Sequence, residues 1–251
     1  MAFGFNSAVW QLIKQSDWVS KYIVMLGLAV LSDACVAIMI HKFVQYRQRK
    51  LMLERILVAL RRARSLQDLV AISKEVNGSI GGILIGNSLD EVKQLLEEKK
   101  ELWESADHDT AVTAHDISTI EMLINQHIDA LLFEQETYLP VLGTAAAAGP
   151  LIGLFGTIWG LIHSFISISQ ERSADISTVA PGIAEALITT LGGLIVAIPA
   201  LAGFNYYSNE LRKIEIRLGE CGEIVLLICK KSLLLTQKVN DAKKTAPRPT
   251  L

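Results

Sequence analysis

Three long runs of apolar residues alternate with charged stretches along this chain. The runs occupy positions 19–41, 140–168 and 183–206. Each is long enough to cross the hydrocarbon core of a bilayer, which takes roughly 20 helical residues. Between the second and third runs, residues 169–182 form a short polar break. The pattern predicts an all-α integral membrane protein with three transmembrane helices, of which the last two form a hairpin.

The remaining segments predict helices of another kind. In 42–139, apolar residues recur every three or four positions among charged ones, most clearly at 88–103 and 112–133, which indicates amphipathic helices. The glycine-rich stretch 77–87 predicts a connector between helices, and it lacks the Gly-Lys-Ser/Thr ending of a phosphate-binding loop. Residues 1–18 predict an amphipathic helix at the periplasmic membrane surface. Residues 207–251 predict a cytoplasmic helix followed by a polar tail.

The distribution of basic residues predicts the orientation in the membrane. The first run is followed by eight lysines and arginines within residues 42–64, whereas the break at 169–182 holds a single arginine. Three more basic residues, Arg212, Lys213 and Arg217, follow the third run. Because segments next to a span that are rich in lysine and arginine stay in the cytoplasm, the N-terminus is expected in the periplasm and the C-terminus in the cytoplasm.

Polar side chains interrupt the second and third runs at regular positions. Thr157 and Ser164 are seven residues apart in the second run and share a helix face, and Glu185 and Thr189 are four apart in the third, with Thr190 beside them. An ionisable group in a span is costly when it faces lipid, so Glu185 should face protein or water. These hydroxyls and this carboxyl suggest an ion path between helices.

Small residues in the same two runs predict close helix packing. Glycines at four-residue spacing let two helix backbones approach each other in a membrane. The candidate packing residues are Gly149, Gly153, Gly156 and Gly160 in the second run and Gly193 in the third.

Simpler interpretations of the polar residues stay open. Thr157 would bond to a carbonyl of its own helix, as membrane threonines often do. If Pro181 opens the third helix, Glu185 lies in its first turns, where the helix dipole stabilises a negative charge. Asp33, near the middle of the first run, either meets a partner or a wet cavity or is partly hydrated.

Several classes of function are disfavoured by the sequence. The net charge of −2 gives no nucleic-acid footprint, and the three cysteines form no Cys-x-x-Cys pair. His163 and Ser164 are adjacent, so on a helix they point about 100° apart and form no catalytic dyad. Asp107, His108, Asp109, His115 and Asp116 do not have the spacing of a metal site. We therefore expect no enzyme activity, no metal and no cofactor.

Two sequence blocks carry a resemblance to a known family. Residues 142–168 read LGTAAAAGPLIGLFGTIWGLIHSFISI, and residues 179–207 read VAPGIAEALITTLGGLIVAIPALAGFNYY. The paired blocks GLFGT-x-WG and APGIAEAL, on two successive spans, resemble the MotA/TolQ/ExbB proton-channel family, in its TolQ and ExbB branches. The resemblance is dense over 140–207 and looser over the first span and the cytoplasmic region.

The resemblance implies a subunit of a motor in the bacterial inner membrane. In this family five copies surround two helices of a smaller, single-span partner of the TolR or ExbD type, and proton flow drives a TolA- or TonB-type protein that spans the periplasm. By motif position, Thr157, Glu185 and Thr190 line the proton path, and Thr189 and Ser164 are candidate additional lining residues. The resemblance also implies that the chain contacts membrane lipid and further copies of itself, and that it does not bind nucleic acid.

His163 and the compact N-terminus favour the TolQ branch, which serves envelope integrity and cell division in the Tol-Pal system. An ExbB-type subunit that powers TonB-dependent import through the outer membrane is the alternative. A passive membrane scaffold, whose polar residues only pack helices, is a second alternative.

Overall fold

The computed structural model describes residues 24–105, 113–171 and 176–245, which form helices and contain no strand within these ranges. The helices are α1 (Met25–Leu60), α2 (Leu66–Glu75), α3 (Ile80–Ser105), α4 (Ala114–Glu136), α5 (Leu139–Glu171) and α6 (Ile176–Thr245). Three of them, α1, α5 and α6, are long and apolar enough to cross a membrane. The predicted all-α class with three such helices is confirmed. The helix predicted at 1–18 and the tail after 245 lie outside the described residues.

The three apolar helices are longer than the apolar runs that predicted them. Helix α1 continues through the basic segment to Leu60, and α6 extends over 70 residues. The predicted break at 169–182 is mostly helical, because α5 ends at Glu171 and α6 begins at Ile176. Pro181 therefore lies inside α6 instead of opening it. A proline inside a helix removes one backbone hydrogen bond, and membrane-spanning helices tolerate this because neighbouring groups satisfy the freed carbonyl.

The cytoplasmic helices begin at clear capping residues. Helix α2 starts with a reciprocal capping box, in which the Asp68 N–H donates to Ser65 Oγ (3.3 Å) and the Ser65 N–H donates to Asp68 Oδ2 (3.1 Å). At the start of α3, the Gly82 N–H donates to Ser79 Oγ (3.0 Å). Each cap satisfies N–H groups that the first helical turn leaves without a partner.

The predicted connector at 77–87 is wrong beyond Ser79, because α3 already begins at Ile80. The glycines in this stretch serve packing rather than flexibility. A Cβ at Gly81 would lie 2.8 Å from Ile56 Cδ1, so the missing side chain lets α3 approach α1. Among the glycines of this stretch, only Gly78, with φ +83°, adopts a backbone conformation that L residues rarely occupy.

The chain divides into two compact units, which are described separately. The membrane unit contains residues 1–43 and 137–209. In its described part, Val24 and Leu28 of α1 form a buried cluster with Val196 of α6. The Tyr207 hydroxyl of α6 donates to the Met39 carbonyl of α1 (2.6 Å).

The second unit contains residues 44–136 and 210–251. Large aliphatic side chains fill its interior, and the Tyr46 hydroxyl donates to the Gln135 carbonyl (2.9 Å). Ion pairs join α1 to α6 at its surface, including Arg217 Nη1 with Glu54 Oε1 (2.6 Å). Fully buried side chains in this unit include Leu53, Ile56, Leu60, Leu84, Ile85, Ile120, Leu218 and Leu233.

Candidate functional site

Helices α5 and α6 pack almost backbone to backbone within the membrane unit. A Cβ at Gly193 would lie 2.5 Å from the Gly149 carbonyl oxygen, and one at Gly153 would lie 2.9 Å from Thr190 Cα. Such distances are too short for any side chain. The same holds at Gly156, whose Cβ would lie 2.5 Å from Thr189 Oγ1. We call this contact, formed by Gly149, Gly153, Gly156, Gly160, Ala186, Thr189, Thr190, Gly193 and Ala197, the α5–α6 interface.

The close approach brings the hydroxyls of two predicted site threonines, one on each helix, to the same turn of α5. The Thr190 hydroxyl of α6 donates across the interface to the Gly153 carbonyl (3.2 Å). The Thr157 hydroxyl donates to the Leu154 carbonyl of its own helix (2.7 Å). Because the two accepting carbonyls belong to consecutive residues, both hydroxyls lie at the same level of the bundle. Both side chains are also partly exposed at the surface of the single chain.

Thr189 and Ser164, the additional candidates, lie in more enclosed positions. Thr189 is 1% exposed and donates to the Ala186 carbonyl (2.7 Å). Ser164 is 6% exposed and donates to the Gly160 carbonyl (2.9 Å). A Cβ at Gly182 would collide with Ser164, so this serine fills the space that glycine leaves. In the single chain, both side chains fill space between α5 and α6.

Glu185 brings a carboxyl group to this part of α6. Its side chain is half-buried, and its Oε1 atom is excluded from solvent without a hydrogen-bond partner. The next residue, Ala186, contacts α5 opposite Gly160. A buried carboxylate oxygen without a donor is unfavourable. The described chain therefore leaves room for a hydrogen-bond donor to Glu185 from another molecule.

Four hydroxyl groups lie at this site in addition to the Glu185 carboxyl group. Thr157, Ser164, Thr189 and Thr190 each donate their proton to a backbone carbonyl. A hydroxyl oxygen that donates still has lone pairs that accept a hydrogen bond. The partly exposed threonines can therefore receive a proton-bearing group, such as water or a protonated carboxylic acid, while their own protons stay on the helix.

Other residues that the sequence brought forward lie elsewhere. Asp33 is exposed on α1, and His163 is exposed on α5. Asp116 caps the start of α4 and pairs with Lys99 Nζ (2.8 Å). Asp107, His108 and Asp109 lie outside the described residues. Within the described part of the chain, histidine, cysteine, aspartate and glutamate form no group able to hold a metal ion.

Comparison with curated proteins finds relatives in two branches. Over 243 residues, the chain is 31% identical to the biopolymer transport protein ExbB of Salmonella typhimurium, and the match covers 94% of each chain. It is 40% identical over 109 residues to the Tol-Pal system protein TolQ of Haemophilus influenzae, covering 43% of this chain and 46% of that protein. The TolQ of Pseudomonas aeruginosa is 49% identical over 73 residues, covering 29% of this chain and 32% of that protein.

A family model gives the same result over a continuous region. The model described as the MotA/TolQ/ExbB proton channel family matches residues 90–220, which include the whole α5–α6 interface. That region is about half of the chain, and the match to the ExbB relative covers 94% of the chain. The chain thus belongs to the MotA/TolQ/ExbB proton channel family.

Proposed function

We propose that this chain is the channel subunit of an inner-membrane motor that uses the proton-motive force to energise a periplasm-spanning protein of the TolA or TonB type. The observation that carries the proposal is the buried, unpartnered Oε1 of Glu185 on the helix that also carries Thr190. Together with Thr157, these residues form the proton path. Thr189 and Ser164 serve helix packing in this proposal, because their side chains are enclosed in the single chain.

The energetics support a motor of this kind. Moving one charge through 100 mV releases about 2.3 kcal/mol, so a few protons suffice for a conformational step. The hydroxyls of Thr157 and Thr190 accept hydrogen bonds from water or from a partner's protonated carboxylic acid. A TolR/ExbD-like single-span protein supplies that acid, and its protonation alternates as it moves past the two threonines.

The path requires more than one copy of the chain. Three apolar helices are too few to enclose a wet passage, and closed rings are the usual way for identical subunits to do so. We propose a homo-oligomer, with five copies around the partner's helices as the family implies. The missing donor for Glu185 then comes from a neighbouring copy or from the partner.

The chain is a multi-pass protein of the bacterial inner membrane, as its family and its three apolar helices indicate. We propose that its N-terminus is periplasmic and that 42–139 and the C-terminus are cytoplasmic. The support is the cluster of lysines and arginines after the first span and their scarcity between the second and third. Cysteine labelling at the termini from each side of the membrane tests this orientation.

The proton path is tested by measuring proton flux in proteoliposomes that contain the chain and its co-purified partner. Thr157→Val, Thr190→Val and Glu185→Gln are expected to reduce flux by roughly tenfold or more, because each removes a group that handles the proton. Thr144→Val is the matched control, since the Thr144 hydroxyl also donates to a carbonyl of α5, that of Pro140 (2.8 Å).

The outcomes separate a motor from a passive scaffold. Reduced flux in complexes that still co-purify with the partner supports the motor. Failure to assemble, with normal flux per assembled complex, makes the polar residues structural and supports the scaffold. Full flux in all three variants overturns the site assignment.

Each of the two branches of the family has an observation in its favour. His163 favours a TolQ-type role in envelope integrity and cell division. The ExbB relative, in contrast, matches the chain nearly end to end, which favours a role in TonB-dependent import. Co-expression with one TolR-like and one ExbD-like partner tests the assignment. We expect stable co-purification with the TolR-like protein. A preference for the ExbD-like protein would instead assign the chain to the ExbB branch.

A further inference from the structure

A cavity in the second unit lies outside the proposed proton path. It measures about 240 Å³ and is bordered by α1, the start of α3 and the end of α4. A water molecule takes about 30 Å³ in the liquid, so the cavity holds a ligand larger than a few waters. Its lining combines apolar side chains, such as those of Met52 and Leu131, with the polar side chains of Arg49 and Ser79. Such a cavity suits a small ligand with one charged end.

Arg49 is the charged group at this cavity. Its Nη1 atom is excluded from solvent and has no hydrogen-bond partner. Leaving a buried donor without an acceptor is unfavourable, and more so when the group is charged. Glu134 also borders the cavity and attracts the Arg49 guanidinium electrostatically, but it is exposed and makes no hydrogen bond to Nη1. Arg49 thus carries donor capacity that an anion in the cavity would satisfy.

The start of α3 adds further donors on the same cavity. The Ser79 side chain accepts from the Gly82 N–H (3.0 Å), and the Ser79 carbonyl accepts from the Ile83 N–H (2.9 Å). The first two helical residues, Ile80 and Gly81, border the cavity. The N–H groups at these positions have no acceptor within an α-helix. A helix start combined with an arginine is a common arrangement for binding phosphate.

We propose that this cavity binds a phosphate group, free or esterified to a small molecule, through Arg49 and the start of α3. Arg49 follows Ile40, the last apolar residue of the first run, by nine residues. At 1.5 Å per residue this is roughly 13 Å of helix, more than the roughly 5–7 Å of a headgroup layer. The phosphate therefore comes from solution, on the cytoplasmic side in the proposed orientation, and the apolar part of the lining accommodates the organic part of an ester.

The test follows the thermal unfolding of the purified full-length chain as inorganic phosphate is added at constant ionic strength, with chloride as the replacing ion. For the wild type we expect a saturable rise of the unfolding temperature, because the ligand binds the folded state. Arg49→Gln should shift the midpoint of this rise at least about tenfold to higher phosphate. Arg49→Lys, which keeps the charge but loses the planar fork, should give an intermediate shift.

Arg47→Gln is the matched control, because Arg47 is an exposed arginine on the same helix. It should respond to phosphate like the wild type. An equal loss in Arg47→Gln, an unchanged midpoint in Arg49→Gln, or no saturable rise in the wild type overturns the proposal. If Arg49→Gln does not fold, an unshifted midpoint in Arg49→Lys overturns the proposal instead.

A second arm distinguishes the source of the phosphate. The chain is placed in nanodiscs of phosphatidylcholine, with or without phosphatidylglycerol, in phosphate-free buffer. An Arg49-dependent stabilisation by phosphatidylglycerol that equals the effect of free phosphate assigns the cavity to a lipid headgroup and overturns the soluble source. Protection only by free phosphate supports it.

Discussion

The two units stabilise their helix contacts in opposite ways. In the membrane unit, α5 and α6 meet through glycine, alanine and threonine, with backbone atoms in direct contact. In the second unit, large aliphatic side chains such as Leu53 of α1 and Leu218 of α6 are fully buried, and ion pairs join α1 to α6 at the surface. In water, burying apolar area drives association, so large side chains are favourable. In hydrocarbon that driving force is absent, and close backbone packing replaces it.

The largest loss of stability is expected from a substitution at the α5–α6 interface. Gly193→Ala should lower the free energy of unfolding by about 3 kcal/mol, because its Cβ would lie 2.5 Å from the Gly149 carbonyl oxygen and backbone atoms cannot move aside cheaply. Gly192→Ala is the matched control, since its Cβ would meet only Leu28 Cδ1, at 3.6 Å. Unfolding in mixed micelles measures both, and equal effects would contradict the role given to Gly193.

A smaller effect is expected at the capping residue of α4. Asp116 accepts from the Thr113 N–H (2.7 Å) and the Thr113 hydroxyl (2.9 Å) and pairs with Lys99. Asp116→Asn should cost about 1–2 kcal/mol at neutral pH, because a cap and a charged hydrogen bond weaken together.

This capping contribution should depend on pH. Burial raises the pKa of Asp116, but hydrogen bonds from Lys99 and Thr113 outweigh that effect and hold the pKa below its ordinary value of 3.8. The lowered pKa means that the stabilisation is fully present above 3.8 and is lost as the pH falls through the folded value. The stability difference between wild type and Asp116→Asn should therefore shrink in acid, and a difference that stays constant would rule out the charged pair as its cause.

Glycines of the second unit should behave differently from Gly193. A Cβ at Gly219 meets nothing within 4 Å, so Gly219→Ala should stabilise α6 by about 0.5–1 kcal/mol through helix propensity. At Gly222 a Cβ would meet two side-chain atoms, Ile128 Cδ1 at 2.9 Å and Ile124 Cγ2 at 3.0 Å. Side chains yield more readily than backbone atoms and alanine favours the helix, so Gly222→Ala should cost clearly less than Gly193→Ala. A loss as large as that of Gly193→Ala in chemical denaturation would remove the contrast between the units.

The smallest effect is expected for the surface ion pairs. Glu54 is half-exposed, and its pair with Arg217 is the shortest one between α1 and α6. Glu54→Gln should cost only about 0.5 kcal/mol, because solvent screens an exposed pair. The cost should fall further at high salt, which denaturation at two salt concentrations measures. A salt-independent loss would indicate that Glu54 contributes through packing.

The all-α class, the three apolar helices and the family could be predicted from the sequence, because span length and the two motif blocks depend on local composition alone. Helix ends could not be predicted as well. Residues 77–87 look flexible when their glycines are counted, yet Gly81 and Gly82 are helical because α3 packs on Ile56 and is capped by Ser79. A packing glycine and a flexible glycine are identical in a single sequence.

The sequence by itself determined that hydroxyls and one carboxyl lie within the second and third spans, because the type and position of each residue can be read without knowing the fold. Only the tertiary structure distinguished neighbouring threonines. Thr189 is enclosed against Gly156, whereas Thr190 reaches the Gly153 carbonyl while remaining partly exposed. The physical reason is that adjacent helical residues point about 100° apart, so the rotation of α6 against α5 decides which hydroxyl stays accessible, and that rotation follows from the glycine contacts between the two helices.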